Sequence, residues 1–152
     1  MLVLVNEHDR RAVRNKDNVL ALYDLMINKK RPEEATAIYL RRDYIQHNPL
    51  IADGSDALGR YFGQVTRSHD RARVEVHKII AVGDYVFAHV NVLNLLSDDP
   101  GDAGIAGVDI YRFDEDGKAA EHWDTLQVVG TPVNAAPWVS PNLRRANSQG
   151  MF

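Results

Sequence analysis

The chain has 152 residues, 45% hydrophobic and 26% charged, with 18 basic and 21 acidic side chains and a formal charge of -3. That length suits one domain with a real core, and the near-neutral, evenly spread charge excludes a nucleic-acid surface or a polybasic membrane anchor. There is no cysteine, which removes disulfides, thiolate zinc sites and cysteine nucleophiles. No apolar run approaches the length of a membrane span, so no membrane partner is expected and the cytoplasm is the default location.

The helical signals come first. Val19, Leu22, Tyr23 and Met26 fall at i, i+3, i+4, i+7 and form one apolar stripe, with Asn15 or Asp17 as the expected cap and Asn28-Lys29-Lys30 as the end. A short second helix is expected from Pro32, whose ring suits a first turn. Glu33 and Glu34 favour the helix dipole there, and Ala35, Ile38 and Tyr39 supply the apolar edge. A third helix is expected over about 55–67, striped by Leu58, Tyr61, Phe62 and Val65. Gly59 and Gly63 cost it about 1 kcal/mol each against alanine, so close packing is expected to hold it.

The period then changes to two. Val74, Val76, Ile80 and Val82 alternate with Arg73, Glu75 and His77, and Gly83-Asp84 makes a turn. A long strand is expected over 85–96, a surface loop over 97–104, and two further strands over 105–113 and 118–129 joined by Asp114-Glu115-Asp116-Gly117. Helices followed by an antiparallel meander make an α+β domain. The core is placed at about 16–129 of a single domain spanning 1–152, with 1–14 and 130–152 as extended tails; Trp138 is a possible anchor for the second.

The last hairpin carries the candidate chemistry. An even loop pairs residues whose numbers sum to an odd value, so Asp109 faces His122 or Asp124; in either register all three share one face with Tyr111, Phe113 and Leu126. Trp123 and Arg112 take the other face. If helices cover the first face, burial and mutual repulsion oppose ionisation of one carboxylate, and such a group can move protons near neutral pH. If the face is open to water, these are surface charges. His89 on the long strand reads either as a satisfied core histidine or as a weaker site candidate. His47, fixed by the Asn48-Pro49 turn, suits a structural bond or a pocket role equally. No His-x-His, helical histidine pair, EF-hand loop, serine-hydrolase elbow or phosphate-cradling loop occurs, so neither a metal nor a cofactor is expected.

Tyr44-Ile45-Gln46-His47-Asn48-Pro49, Asp109-Ile110-Tyr111-Arg112-Phe113, Asp116-Gly117-Lys118 and Glu121-His122-Trp123-Asp124, in this order, resemble the SnoaL-like polyketide cyclase family of the nuclear transport factor 2-like superfamily. The resemblance runs from about residue 16 to residue 129, and Asn147 to Phe152 share it. It implies a cone-shaped α+β barrel, in which a curved antiparallel sheet and about three N-terminal helices enclose an apolar pocket, usually as a homodimer packed through the outer sheet face. It places Asp109, His122 and Asp124 inside and Trp123 outside. It also implies that Asp124 acts as acid/base on a small apolar carbonyl compound, in an aldol cyclisation or isomerisation. His47, Asp109 and His122 would assist, and Tyr44, Phe62, His89, Tyr111 and Trp123 would contact the substrate. A non-catalytic module that binds or senses a hydrophobic metabolite is the alternative. A purely structural dimerisation domain is the third reading.

Overall fold

A computed structural model describes residues 1–129, in the order β1 (Leu2–Val5), α1 (Arg10–Tyr23), α2 (Pro32–Tyr39), β2 (Leu40–Gln46), α3 (Ser55–Ser68), β3 (Arg73–Val82), β4 (Tyr85–Leu93), β5 (Ile105–Phe113) and β6 (Ala119–Val128). The expected tail over 130–152, including Trp138 and the residues from Asn147 onward, lies outside the described residues. Among the described residues no helix is long and apolar enough to cross a membrane.

Among the described residues, three helices pack on one six-stranded sheet of order β1-β3-β4-β5-β6-β2. The four strands from β3 to β6 form the expected antiparallel meander. The sheet as a whole is mixed and unclosed, because β1 lies parallel to β3 at one edge and β2 lies parallel to β6 at the other. Residues 1–14 are therefore not a tail. Leu2–Val5 extend the sheet, and α1 begins well before Asn15, because the Asp9 carboxylate caps it by accepting from the amides of Arg11 and Ala12, both at 3.1 Å. The same carboxylate is held below its usual range, first by the Ala12 amide bond. After Tyr23 the helix widens into one π-helical turn, Asp24–Asn28, that still buries Met26 and Ile27.

The face of β3 departs from simple alternation. A bulge between Val76 and Lys78 inserts one residue, so Val74 and Ile79 face inward while Ile80 and Val82 turn out to solvent. The long strand ends at Leu93, earlier than its apolar pattern suggests, since Asn94 adopts a positive φ of 52°. Gly83 serves the β3–β4 turn at φ 57°. Close packing does hold α3: a side chain on Gly59 would meet the Thr36 hydroxyl at 2.8 Å, so α2 and α3 approach through the glycine.

The core lies between the helices and the inner sheet face, where Val19, Leu22 and Leu58 meet Ile79, Val86, Ala88 and Val90. Leu22→Ala is expected to lower stability by about 2–5 kcal/mol, the usual cost of a cavity at a fully buried leucine. Denaturant unfolding checks this, and a loss below about 1 kcal/mol would show that α1 does not seal the sheet.

Candidate active site

The β5–β6 register decides the site. Asp109 pairs with Asp124 and Tyr111 with His122, so the numbers sum to 233, the second of the two registers the hairpin allowed. The helices cover the face they share. Asp109 is 7% exposed and His122 6%, and both line a cavity of about 160 Å³ together with Asp124. Tyr23, Tyr44 and Tyr111 complete its polar wall; Leu50, Ile51, Leu58, Phe62, Leu95 and Leu96 make much of the apolar remainder.

The two carboxylates and the imidazole in the wall each have hydrogen-bonding partners. Tyr23 donates its hydroxyl to Asp109 Oδ2, and the other Asp109 oxygen lies 3.3 Å from His122 Nε2. His122 Nδ1 lies 3.0 Å from Gln46 Oε1. Asn48 donates its side-chain amide to both oxygens of Asp124, at 3.1 and 2.8 Å. The orientation of both amides is fixed by main-chain donors two residues on: Asn48 N–H reaches Gln46 Oε1 and Leu50 N–H reaches Asn48 Oδ1, each at 3.0 Å. The segment after β2 thus presents two rigid amide arms to the β5–β6 carboxylate and imidazole groups.

Aromatic packing sets the ring positions. The His122 ring sits 4.5 Å from that of Tyr111, and Tyr23 meets Tyr111 edge to face at 6.1 Å. Burial, followed by the negative charge of Asp109, pushes the hydroxyls of Tyr23 and Tyr111 well above the usual phenol range. Tyr44 is raised by burial first, then by Asp109 and Asp124. All three remain hydrogen-bond donors under physiological conditions.

Donor atoms of Asp109, His122 and Asp124 lie within 4.8 Å of one another, a spacing at which such groups can share a cation or exchange protons. Tyr23 and Asn48 already donate to the carboxylates and Gln46 engages the imidazole, so the cluster is a hydrogen-bonded set.

Three expected site residues lie elsewhere. His47 is on the outer face, stacked 4.7 Å from Trp123 and bonded through Nε2 to Glu121 Oε1 at 2.8 Å. Glu121 is held below the usual carboxylate range by that bond first and then by Arg112. Trp123 pairs with Ile110 on the same outer face and does not line the cavity, so the resemblance located it correctly and its assignment as a substrate contact does not follow. His89 pairs with Val108, also outward, beside Lys78 Nζ at 3.3 Å. Burial first, then Lys78, lowers its pKa. Tyr44, Phe62 and Tyr111 do line the cavity. Tyr23, Gln46 and Asn48 were missed as site residues. Alternation from Tyr44 would have found the two amides, because residues 44, 46 and 48 share one side of an extended segment and His47 takes the other.

The raised tyrosine hydroxyls make the stability of the fold depend on pH in the alkaline range. The folded chain keeps protons that the unfolded chain releases above about pH 10, so this stabilisation is present below that value and is lost as pH rises. In an ultraviolet titration, the phenolate absorbance of Tyr23, Tyr44 and Tyr111 is expected to appear together with alkaline unfolding. Ionisation of all six tyrosines while the fold stays intact would contradict the buried wall.

The SnoaL-like domain family model matches residues 19–122. No curated protein sequence matches the chain significantly. Among solved structures, a candidate polyketide cyclase from Bacillus cereus ATCC 10987 superposes with a TM-score of 0.69 at 16% identity, covering 82% of this chain and 83% of that one. A candidate SnoaL-like polyketide cyclase from Jannaschia sp. CCS1 gives 0.64 at 15% identity, covering 80% and 91%. A candidate isomerase of the SnoaL-like family from Agrobacterium tumefaciens C58 gives 0.59 at 14%, covering 77% and 97%. At such identities the structural likeness speaks for the fold alone. With the family model spanning 19–122 and the same α+β architecture in these neighbours, the chain belongs to the SnoaL-like domain family.

Proposed function

We propose that this protein is an acid/base enzyme acting without a cofactor on a small, largely apolar carbonyl compound, by aldol cyclisation or isomerisation. The observation that carries the reading is the state of Asp124. It lines a mostly apolar cavity, and among the described residues its hydrogen bonds come from Asn48 alone. A carboxylate offers about four acceptor positions, so Asp124 keeps capacity for a substrate proton. Asp109 is more heavily engaged, with Tyr23 on one oxygen and His122 on the other.

In this mechanism Asp124 removes a proton alpha to the substrate carbonyl, breaking C–H and forming O–H on its own carboxylate. The charge passes to the carbonyl oxygen as an enolate, which the Tyr44 and Tyr111 hydroxyls can meet as donors. In a cyclisation the enolate carbon bonds to a second carbonyl of the same molecule, and that oxygen takes up a proton. In an isomerisation the proton returns at another carbon. No lysine or arginine lines the cavity among the described residues, while two carboxylates do, so a neutral substrate suits it better than an anion.

The test is deuterium exchange at the carbon alpha to the carbonyl, followed by NMR across a panel of apolar 1,3-dicarbonyl compounds in heavy water. The chain is expected to accelerate exchange for at least one compound, and Asp124→Asn to lose roughly 10²–10⁴-fold of that rate. A compound that binds, is recovered unchanged and shows no exchange would instead establish a binding or sensing module.

The outer sheet face supports a homodimer as part of the same proposal. Ile80, Phe87 and Val108 are 40%, 38% and 44% exposed on that face, next to the Trp123–His47 stack. Sedimentation is expected to give twice the chain mass and Val108→Glu to give the monomer; a monomeric wild type would remove this element.

A further inference from the structure

The hydrogen-bond pattern around Gln46 fixes more than ring position. A main-chain N–H can only donate, so the Gln46 atom met by Asn48 N–H is the oxygen. That same oxygen meets His122 Nδ1 at 3.0 Å, and the Gln46 Nε2 is turned toward the Tyr44 hydroxyl at 3.4 Å. Two acceptors cannot bond to each other, so Nδ1 carries a hydrogen. A neutral ring protonated at Nδ1 has only a lone pair at Nε2, and Nε2 faces Asp109 Oδ1 at 3.3 Å. A hydrogen bond across that gap needs one more proton, held on either partner. The other Asp109 oxygen cannot supply it, since it receives the Tyr23 hydroxyl.

We infer that Gln46 is a positioning residue that locks His122 with its hydrogen on Nδ1, and so makes the Asp109–His122 pair a proton-carrying acid that works beside the base Asp124. This rests on the acid/base reading above and divides its two halves between different groups. Asp124 takes the proton from carbon. The pair delivers its shared proton to the developing alkoxide, an oxygen lone pair forms the new O–H bond, and a neutral imidazole and a carboxylate are left. The proton on Asp124 then passes to the pair, directly or through water, and restores both. The distance is short, because Asp109 and Asp124 are paired across β5 and β6 and the donor atoms lie within 4.8 Å of one another. The titratable groups facing the pair are Tyr23, Tyr44, Tyr111 and Asp124, and the three hydroxyls remain protonated throughout.

The test reads the tautomer directly and needs no substrate. In the full chain labelled with ¹⁵N-histidine, and with His122→Asn to assign its signals, His122 is expected to show a protonated Nδ1. Gln46→Leu removes the acceptor and is expected to move the hydrogen of the neutral ring to Nε2. Gln46→Glu keeps an acceptor and is expected to retain the wild-type pattern, which separates this role from a merely structural one. A wild-type His122 with bare Nδ1, or a Gln46→Leu spectrum in which Nδ1 stays protonated in a folded chain, would overturn the inference. With an active substrate, Gln46→Leu is expected to keep alpha-proton exchange while product formation falls by up to about 10²–10⁴-fold. Equal loss of both steps would also contradict the division of labour. If no substrate is turned over, the acid/base reading fails while the tautomer result stands or falls by itself.

Discussion

The pairing of Asp109 with Asp124 across β5 and β6 is the constraint on which the rest of the site depends. Because side chains alternate along a strand, this register commits Tyr111 and His122 to the same side, and a slip of one residue would turn β6's members out to solvent. The helices cover that side, so two carboxylates and an imidazole end up in a largely apolar cavity. Such burial is costly unless each group has hydrogen-bonding partners. The surrounding elements supply them: Tyr23 from α1, and Gln46 and Asn48 from the end of β2 and the turn after it.

The parallel placement of β2 against β6 serves the same site. Gln46 pairs with His122 by backbone register, and His47 N–H donates to the His122 carbonyl at 3.0 Å. The amide arms are therefore held by the strand they serve. On the reverse side the Arg112–Glu121–His47 chain and the Trp123 stack fix the same segment from outside. The two faces of β6 thus divide the work: Glu121 and Trp123 hold the framework, and His122 and Asp124 meet the cavity.

What the sequence makes legible is what period and turn chemistry control. The even hairpin over 105–128 allowed two registers and placed Asp109, His122 and Asp124 together in both; only coordinates could choose between them. The Gly83-Asp84 turn and the Pro32 helix start were equally readable. The β3 inner face was not, because a bulge at His77 leaves no mark in an otherwise clean alternation. The edge strands were missed for a related reason: Leu2–Val5 gain stability from a partner more than 70 residues away, which local pattern cannot reveal. At the site, the titratable His47 carries the visible signal yet faces outward, while the neutral amides flanking it face inward. Tyr23 was hidden in a helical stripe that reads as ordinary core.

The proposed chemistry requires a ligand's carbonyl oxygen among the tyrosine hydroxyls and its alpha carbon against Asp124. A crystal structure of the chain with a bound, unreactive phenol resembling an enol tests this most directly. The phenol oxygen is expected within about 3 Å of a Tyr44 or Tyr111 hydroxyl, with the ring beside the Asp124 carboxylate. Density for the phenol outside the cavity, or Asp109 and Asp124 found on opposite sides of the sheet, would contradict it.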